Sequence, residues 1–227
     1  MRDDDILEHC TFKPKINKTS TTHRGRTNVN NTNLDHGTRS AGVIAAVTNN
    51  NKGVASIGFK ASILPVKITN DNATARVHNN IFEGLAYAAI MNPDIINCSC
   101  GGSAYTQTGK NTVDFIVSKG IPLSASAHNY NNTSPIYPAA FHGVISVAAT
   151  DANDEKASFS NYGSWVKISA PGIGLRSLQK NNRYVNYGGT SASAPVVSGL
   201  LGLMKSYYPN ITKVDLEFCL FNSADNI

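Results

Sequence analysis

Three short stretches of this 227-residue chain carry side chains suited to covalent chemistry. "GGTSASAP" (188–195) sets Ser191 between paired glycines and an apolar run, "VVSGLLGLM", which has the composition of a buried helix. "DHGTRSAG" (35–42) puts His36 ahead of small residues that allow close packing. "SASAHN" (124–129) ends an apolar stretch on Asn129. A serine hydroxyl is a weak nucleophile until a base takes its proton. Histidine is the natural base near neutral pH. A tetrahedral intermediate also needs hydrogen-bond donors for its oxyanion, which a helix N-terminus and a carboxamide supply. The chemistry these residues suit is acyl transfer. Each has a plainer reading when taken alone: Ser191 as a helix cap, His36 as a buried structural histidine, Asn129 as a loop residue.

Such residues work only if regular elements hold them. Residues 11–35 read as a polar loop. Helices are expected from His36 ("HGTRSAGVIAAV", stopped by "NNNKG"), over 79–91, 111–120, 191–207 and 213–223. Strands are expected at 61–68 ("ASILPVKI"), 94–102, 121–129, 143–150 and 165–172. Pro195 is placed in the first helical turn, where an N–H has no intrahelical partner. The strands are nearly all apolar and alternate with helices, which is the pattern of a parallel sheet buried on both faces. Active residues in such α/β sheets gather at the carboxyl ends of strands.

The bulk numbers narrow the class. With 41% hydrophobic and 15% charged residues the chain reads as one globular domain spanning 1–227. The formal charge of +5 is mild, and no basic cluster is interleaved with aromatics, which argues against a nucleic-acid partner. No run of about 18 apolar residues suggests a membrane span. Cys10, Cys98, Cys100 and Cys219 lack zinc spacing and read as mostly free packing residues, Cys98 and Cys100 sharing one face of a strand. Sequons head at Asn17, Asn30, Asn72, Asn97, Asn131, Asn132 and Asn210, and the Asn97 one falls in an expected buried strand. His9, His23, His78, His128 and His142 read as surface or loop residues.

Taken together, "HGTRSAG", "INCSCGG", "SASAHN" and "GTSASAP" resemble the motifs of subtilisin-like serine proteases, in that family's order. The forms "HGTR" and "GTSASAP" look closer to its kexin/furin branch. The resemblance implies a three-layer α/β fold with a mostly parallel sheet and a serine endopeptidase activity with no cofactor in the chemistry. It implies Ser191 as nucleophile, His36 as general base, Asn129 as oxyanion donor, and Ser99, Cys100 and Gly101 as the edge that pairs with substrate backbone. The triad acid falls in "DDDI" (3–6), Asp3 by the offset of Ile6, with Asp4 as the alternative. The partner implied is a peptide or protein substrate met by a monomer. Family resemblance implies a secreted or secretory setting, although "MRDDDILEHC" is no signal peptide. Calcium is common in the family, and "VTNNNKGV" (47–54) resembles a loop that binds it through backbone and Asn oxygens.

Three departures from the pattern stand out. Only Met1 and Arg2 precede Asp3, where the family has a strand, and only residues 192–227 follow Ser191. The expectation from these is a catalytic domain cut at both ends, with an inactive peptide-binding module as the alternative. His128 replaces the usual glycine before the oxyanion asparagine, and its Cβ would strain a turn of positive φ.

Overall fold

The computed structural model describes residues 35–69 and 80–226. Asp3, Asp4, His9, Cys10, His23 and His78 lie outside them. In chain order the elements are α1 (His36–Ala45), α2 (Ile81–Ile90), β1 (Ile96–Cys98), α3 (Gln107–Ser118), β2 (Leu123–Ser126) and β3 (Ile145–Thr150). Then come β4 (Ile168–Pro171), β5 (Leu175–Gln179), β6 (Arg183–Tyr187), α4 (Thr190–Tyr207) and α5 (Lys213–Asn222).

The first four strands form one parallel sheet in the order β1-β2-β3-β4. Alternation along each strand separates two cores. Leu123 and Ala125 of β2 turn to one face and join Ile81, Leu85, Val113 and Ile116 of α2 and α3. Ile145 and Val147 of β3 turn to the other and join Val197 and Leu201 of α4 and Leu216 and Leu220 of α5. Helices therefore cover both faces, and the sheet strands are apolar for that reason. Two hydroxyls on the second face are bonded: Ser124 Oγ donates to Ala194 O at 3.3 Å, and Ser198 Oγ to Asn97 Oδ1 at 3.1 Å. Asn97 is thus a half-buried sheet residue with its side chain engaged.

Some expectations are corrected. Residues 61–68 form no strand. Pro65 has no N–H to give a ladder, and among the described residues no strand lies beside the segment. Val66 and Ile68 still pack against the first core. Helix α3 starts at Gln107 rather than 111, because the Thr106 side chain accepts from Gly109 N at 3.0 Å and caps it. Strands β5 and β6 form an antiparallel hairpin that the sequence reading passed over. Its turn holds Asn181 (φ 62°) and Asn182 (φ 54°), a left-handed pair that asparagine tolerates well. Cys98 and Cys100 are free thiols, whereas Cys219 is disulfide-bonded and departs from the packing-only reading.

Candidate active site

A cleft of about 2140 Å³ runs along β1 and α4, from Pro93 and Pro209 at one end to the carboxyl end of the parallel sheet at the other. His36, Ser99, Cys100, Gly101, Asn129 and Ser191 all line it. Hydrogen bonds tie the candidates of the described part to one another, Ser191 to Ser99 directly, to His36 through Tyr187 and to Asn129 through Thr190; Asp3 and Asp4 are outside it.

Ser191 sits in the first turn of α4, whose N-cap Gly189 has φ 96°. A side chain there is strained, and a Cβ would lie 3.1 Å from Asn129 Nδ2. Helix α4 starts at Thr190, so Pro195 lies in its second turn, not its first. Proline has no N–H to bond the carbonyl four residues back, which is that of Ser191. Two side chains take over: Ser99 Oγ donates to Ser191 O at 3.0 Å and Tyr187 Oη donates to it at 2.9 Å. Proline thereby leaves the Ser191 backbone tied to the 99–101 segment on one side and to the hairpin on the other. The Ser191 hydroxyl donates to Ser99 O at 3.3 Å instead of to the imidazole.

His36 opens α1, where the preceding Asp35 pairs with Arg39 at 2.8 Å. Its Nε2 lies 3.1 Å from Tyr187 Oη, and the two rings meet edge to face at 5.7 Å. Ser40 Oγ is 2.9 Å from the same tyrosine oxygen. Tyr187 ends β6 and is 5% exposed. It therefore links the two helix starts that carry His36 and Ser191. Sequence reasoning missed this residue; the available signal was its place just before the glycines of the serine motif.

Asn129 follows β2. Its Oδ1 accepts from Thr190 N at 2.9 Å and from Thr190 Oγ1 at 3.1 Å. Both lone-pair directions being taken, the amide is oriented with Nδ2 as its open end, next to the α4 N-terminus. The expected strain precedes it: His128 has φ 72°. The buried Asn161 holds this turn from below, its N–H donating to His128 O at 2.9 Å and its Oδ1 accepting from Tyr130 N at 2.8 Å. Asn161 is a second positioning residue that the sequence reading did not single out.

The edge segment 99–101 continues β1. One side of it is already taken at Gly102, which exchanges hydrogen bonds with Tyr137 (2.9 and 2.8 Å). Gly101 lets this loop close down: a Cβ there would lie 2.6 Å from Tyr137 O and 2.9 Å from His128 Nε2.

A parallel α/β sheet here carries a serine and a histidine at two helix starts beside an oriented carboxamide, the parts that an acyl-transfer hydrolase uses. The chain belongs to the subtilase family, whose model matches residues 1–227. It is 38% identical over 192 residues to thermitase of Thermoactinomyces vulgaris, covering 85% of this chain and 68% of that one. It is 39% identical over 180 residues to a thermostable alkaline protease of Halalkalibacterium halodurans, covering 79% of this chain and 49% of that one. Among solved structures, a protease from Pseudoalteromonas arctica superposes with a TM-score of 0.76 at 30% identity, over 84% of this chain and 64% of that one. The chain thus spans about half to two thirds of these relatives. Serine-type endopeptidase is the class that the family and its members define.

Proposed function

We propose that this chain hydrolyses peptide bonds through an acyl-enzyme formed on Ser191. The observation that carries the proposal is the convergence of Ser191, His36, Asn129 and the 99–101 edge on one cleft. An extended peptide pairs with the free side of 99–101, which presents its carbonyl to Ser191 Oγ. His36 takes the serine proton and passes it to the leaving amine. Asn129 Nδ2 and the Ser191 N–H receive the oxyanion. Asp3, or Asp4 in its place, orients and stabilises His36 in this scheme.

Treatment with a fluorophosphonate probe tests it. The wild-type chain is expected to label and Ser191→Ala not to. Labelling that survives the substitution removes Ser191 from the role.

A second reading, a peptide-binding module without turnover, is favoured by one observation. The nucleophile donates to Ser99 O and the base is engaged by Tyr187. A folded wild-type chain that binds peptide but never labels would establish that reading.

The relatives named above come from bacteria, so the lean toward the kexin/furin branch gains no support and no dibasic preference is assigned. A monomer acting in a secretory or extracellular setting fits the family, and the disulfide at Cys219 fits an oxidising compartment. Among the described residues no helix is long and apolar enough to cross a membrane. For calcium, the 47–54 loop turns tightly through Asn49, Asn51 and Gly53, all at positive φ. It brings no carboxylate, and Asn50 Oδ1 is spent on Lys52 N at 3.0 Å. Calcium at this loop would have backbone and Asn oxygens as its donors, which suit a hard cation, with no carboxylate from the loop itself.

A further inference from the structure

The substrate edge contains two thiols that the proposed peptide hydrolysis does not use. Cys98 ends β1 and Cys100 follows it two residues on, so both side chains point to one face. Their sulfurs are 3.3 Å apart, and Cys98 Sγ also donates to Cys100 O at 3.3 Å. Both residues line the same cleft as Ser191, Cys98 buried and Cys100 half-buried. Between them sits Ser99, which grips the nucleophile from both directions: its carbonyl accepts from Ser191 Oγ and its hydroxyl donates to Ser191 O.

We propose that Cys98 and Cys100 are a redox modification site, a dithiol that a peroxide arriving through the cleft closes to a disulfide, displacing Ser99 and with it Ser191. The link to Ser191 rests on its role as nucleophile; closure of the bridge does not.

The chemistry balances as follows. One sulfur attacks the peroxide O–O bond, becoming a sulfenic acid and releasing one water. The second sulfur displaces that hydroxyl, and a second water leaves. The two thiols lose two protons and two electrons, and hydrogen peroxide takes them up to become two waters. The pair is disposed to this. The S–H of Cys100 beside it holds the Cys98 thiol below the ordinary range, and the same contact, with burial, pushes Cys100 well above it. The contact thus favours ionisation of Cys98 and disfavours that of Cys100.

Geometry makes closure consequential. Side chains two apart on an extended strand have Cα atoms about 6.6 Å apart, near the upper end of the roughly 4.4–6.8 Å that a disulfide spans. The sulfurs must approach by about 1.2 Å to reach bonding distance. The chain has to bend between them, at Ser99, whose carbonyl and hydroxyl hold Ser191. Such a bond is also readily reduced, as a switch requires.

The test treats the full chain with hydrogen peroxide and then alkylates the remaining thiols. The expected products are a mass loss of about 2 Da, no alkylation at either cysteine, and a looped peptide containing both. Fluorophosphonate labelling should fall at least about tenfold and recover with a phosphine reductant. In the Cys98→Ser/Cys100→Ser double variant, which leaves Cys219 in place, the ratio of labelling before and after peroxide should be one. Cys100→Ser alone serves the same purpose if the double variant does not fold. Separate alkylation of both thiols after peroxide, or oxygen gain at one without a bridge, overturns the pairing. A closed bridge with undiminished labelling overturns the coupling to Ser191.

Discussion

The hydroxyl of Tyr187 has a single proton, and where it goes decides what His36 does. The hydroxyl donates to Ser191 O, and its oxygen lies 3.1 Å from His36 Nε2, where it accepts from the tautomer that carries its hydrogen on Nε2. A neutral imidazole in that tautomer has its lone pair on Nδ1 and none at Nε2. In the role proposed for His36, that tautomer keeps Nε2 from taking the serine proton until substrate or a shift of the ring frees it. Tyr187→Phe removes the acceptor but keeps the ring, and it should raise the second-order labelling rate by up to about tenfold, the worth of one hydrogen bond. Slower labelling in the variant would mean the hydroxyl positions the base for reaction instead. Asn129→Ala should lower kcat by about 10²–10³ with little change in KM, because the lost donor serves the transition state. A loss seen only in KM would place Asn129 in substrate binding. The histidine, serine and asparagine were legible in the sequence because each lies in a compact local motif. Tyr187 and Asn161 were not, because their partners are distant in the chain: His36 is 151 positions from Tyr187 and Tyr130 is 31 from Asn161.

Among the elements, legibility followed how much of the stabilising chemistry is local. Helix α4 was expected over 191–207 and forms over Thr190–Tyr207, since its apolar face and glycine start are written in adjacent residues. The 61–68 run looks like a strand by composition, but a strand is a pairing, and composition does not show whether a partner stands beside it. The hairpin had a readable signal in "KNN", two residues that accept positive φ, between runs of strand length. Helix α3 was placed one turn late because the threonine that caps it sits in "AYTQTG", which reads as loop. That cap has a measurable worth. Thr106→Ala leaves Gly109 N without its acceptor and should lower unfolding stability by about 1 kcal/mol, whereas Thr106→Ser should restore most of it. Urea denaturation of the two variants decides the matter, and equal loss in both would assign the effect to the threonine methyl instead of the cap.

At the scale of the whole molecule, α4 is the axis on which stability and site meet. It packs on all four strands of the parallel sheet and on α1 and α5, with Ser191 at its start and Leu201 in its fourth turn. Leu201 is wholly buried among β3, β4 and α5 residues, so Leu201→Ala leaves a cavity in the second core. The cost of such a truncation is about 2–5 kcal/mol. For a domain of this size each kcal/mol lowers Tm by roughly 2–4 °C, so a drop of roughly 4–20 °C is expected in a thermal melt. Ser191 is ten residues away, about 15 Å along the helix, and its backbone is held by Ser99 and Tyr187 rather than by the core below. Labelling of the folded variant well below its Tm should therefore match the wild type. If Leu201→Ala labels poorly while its melt stays cooperative, the nucleophile's position is set by the core packing of the whole helix and not by the two hydrogen bonds at its first turn.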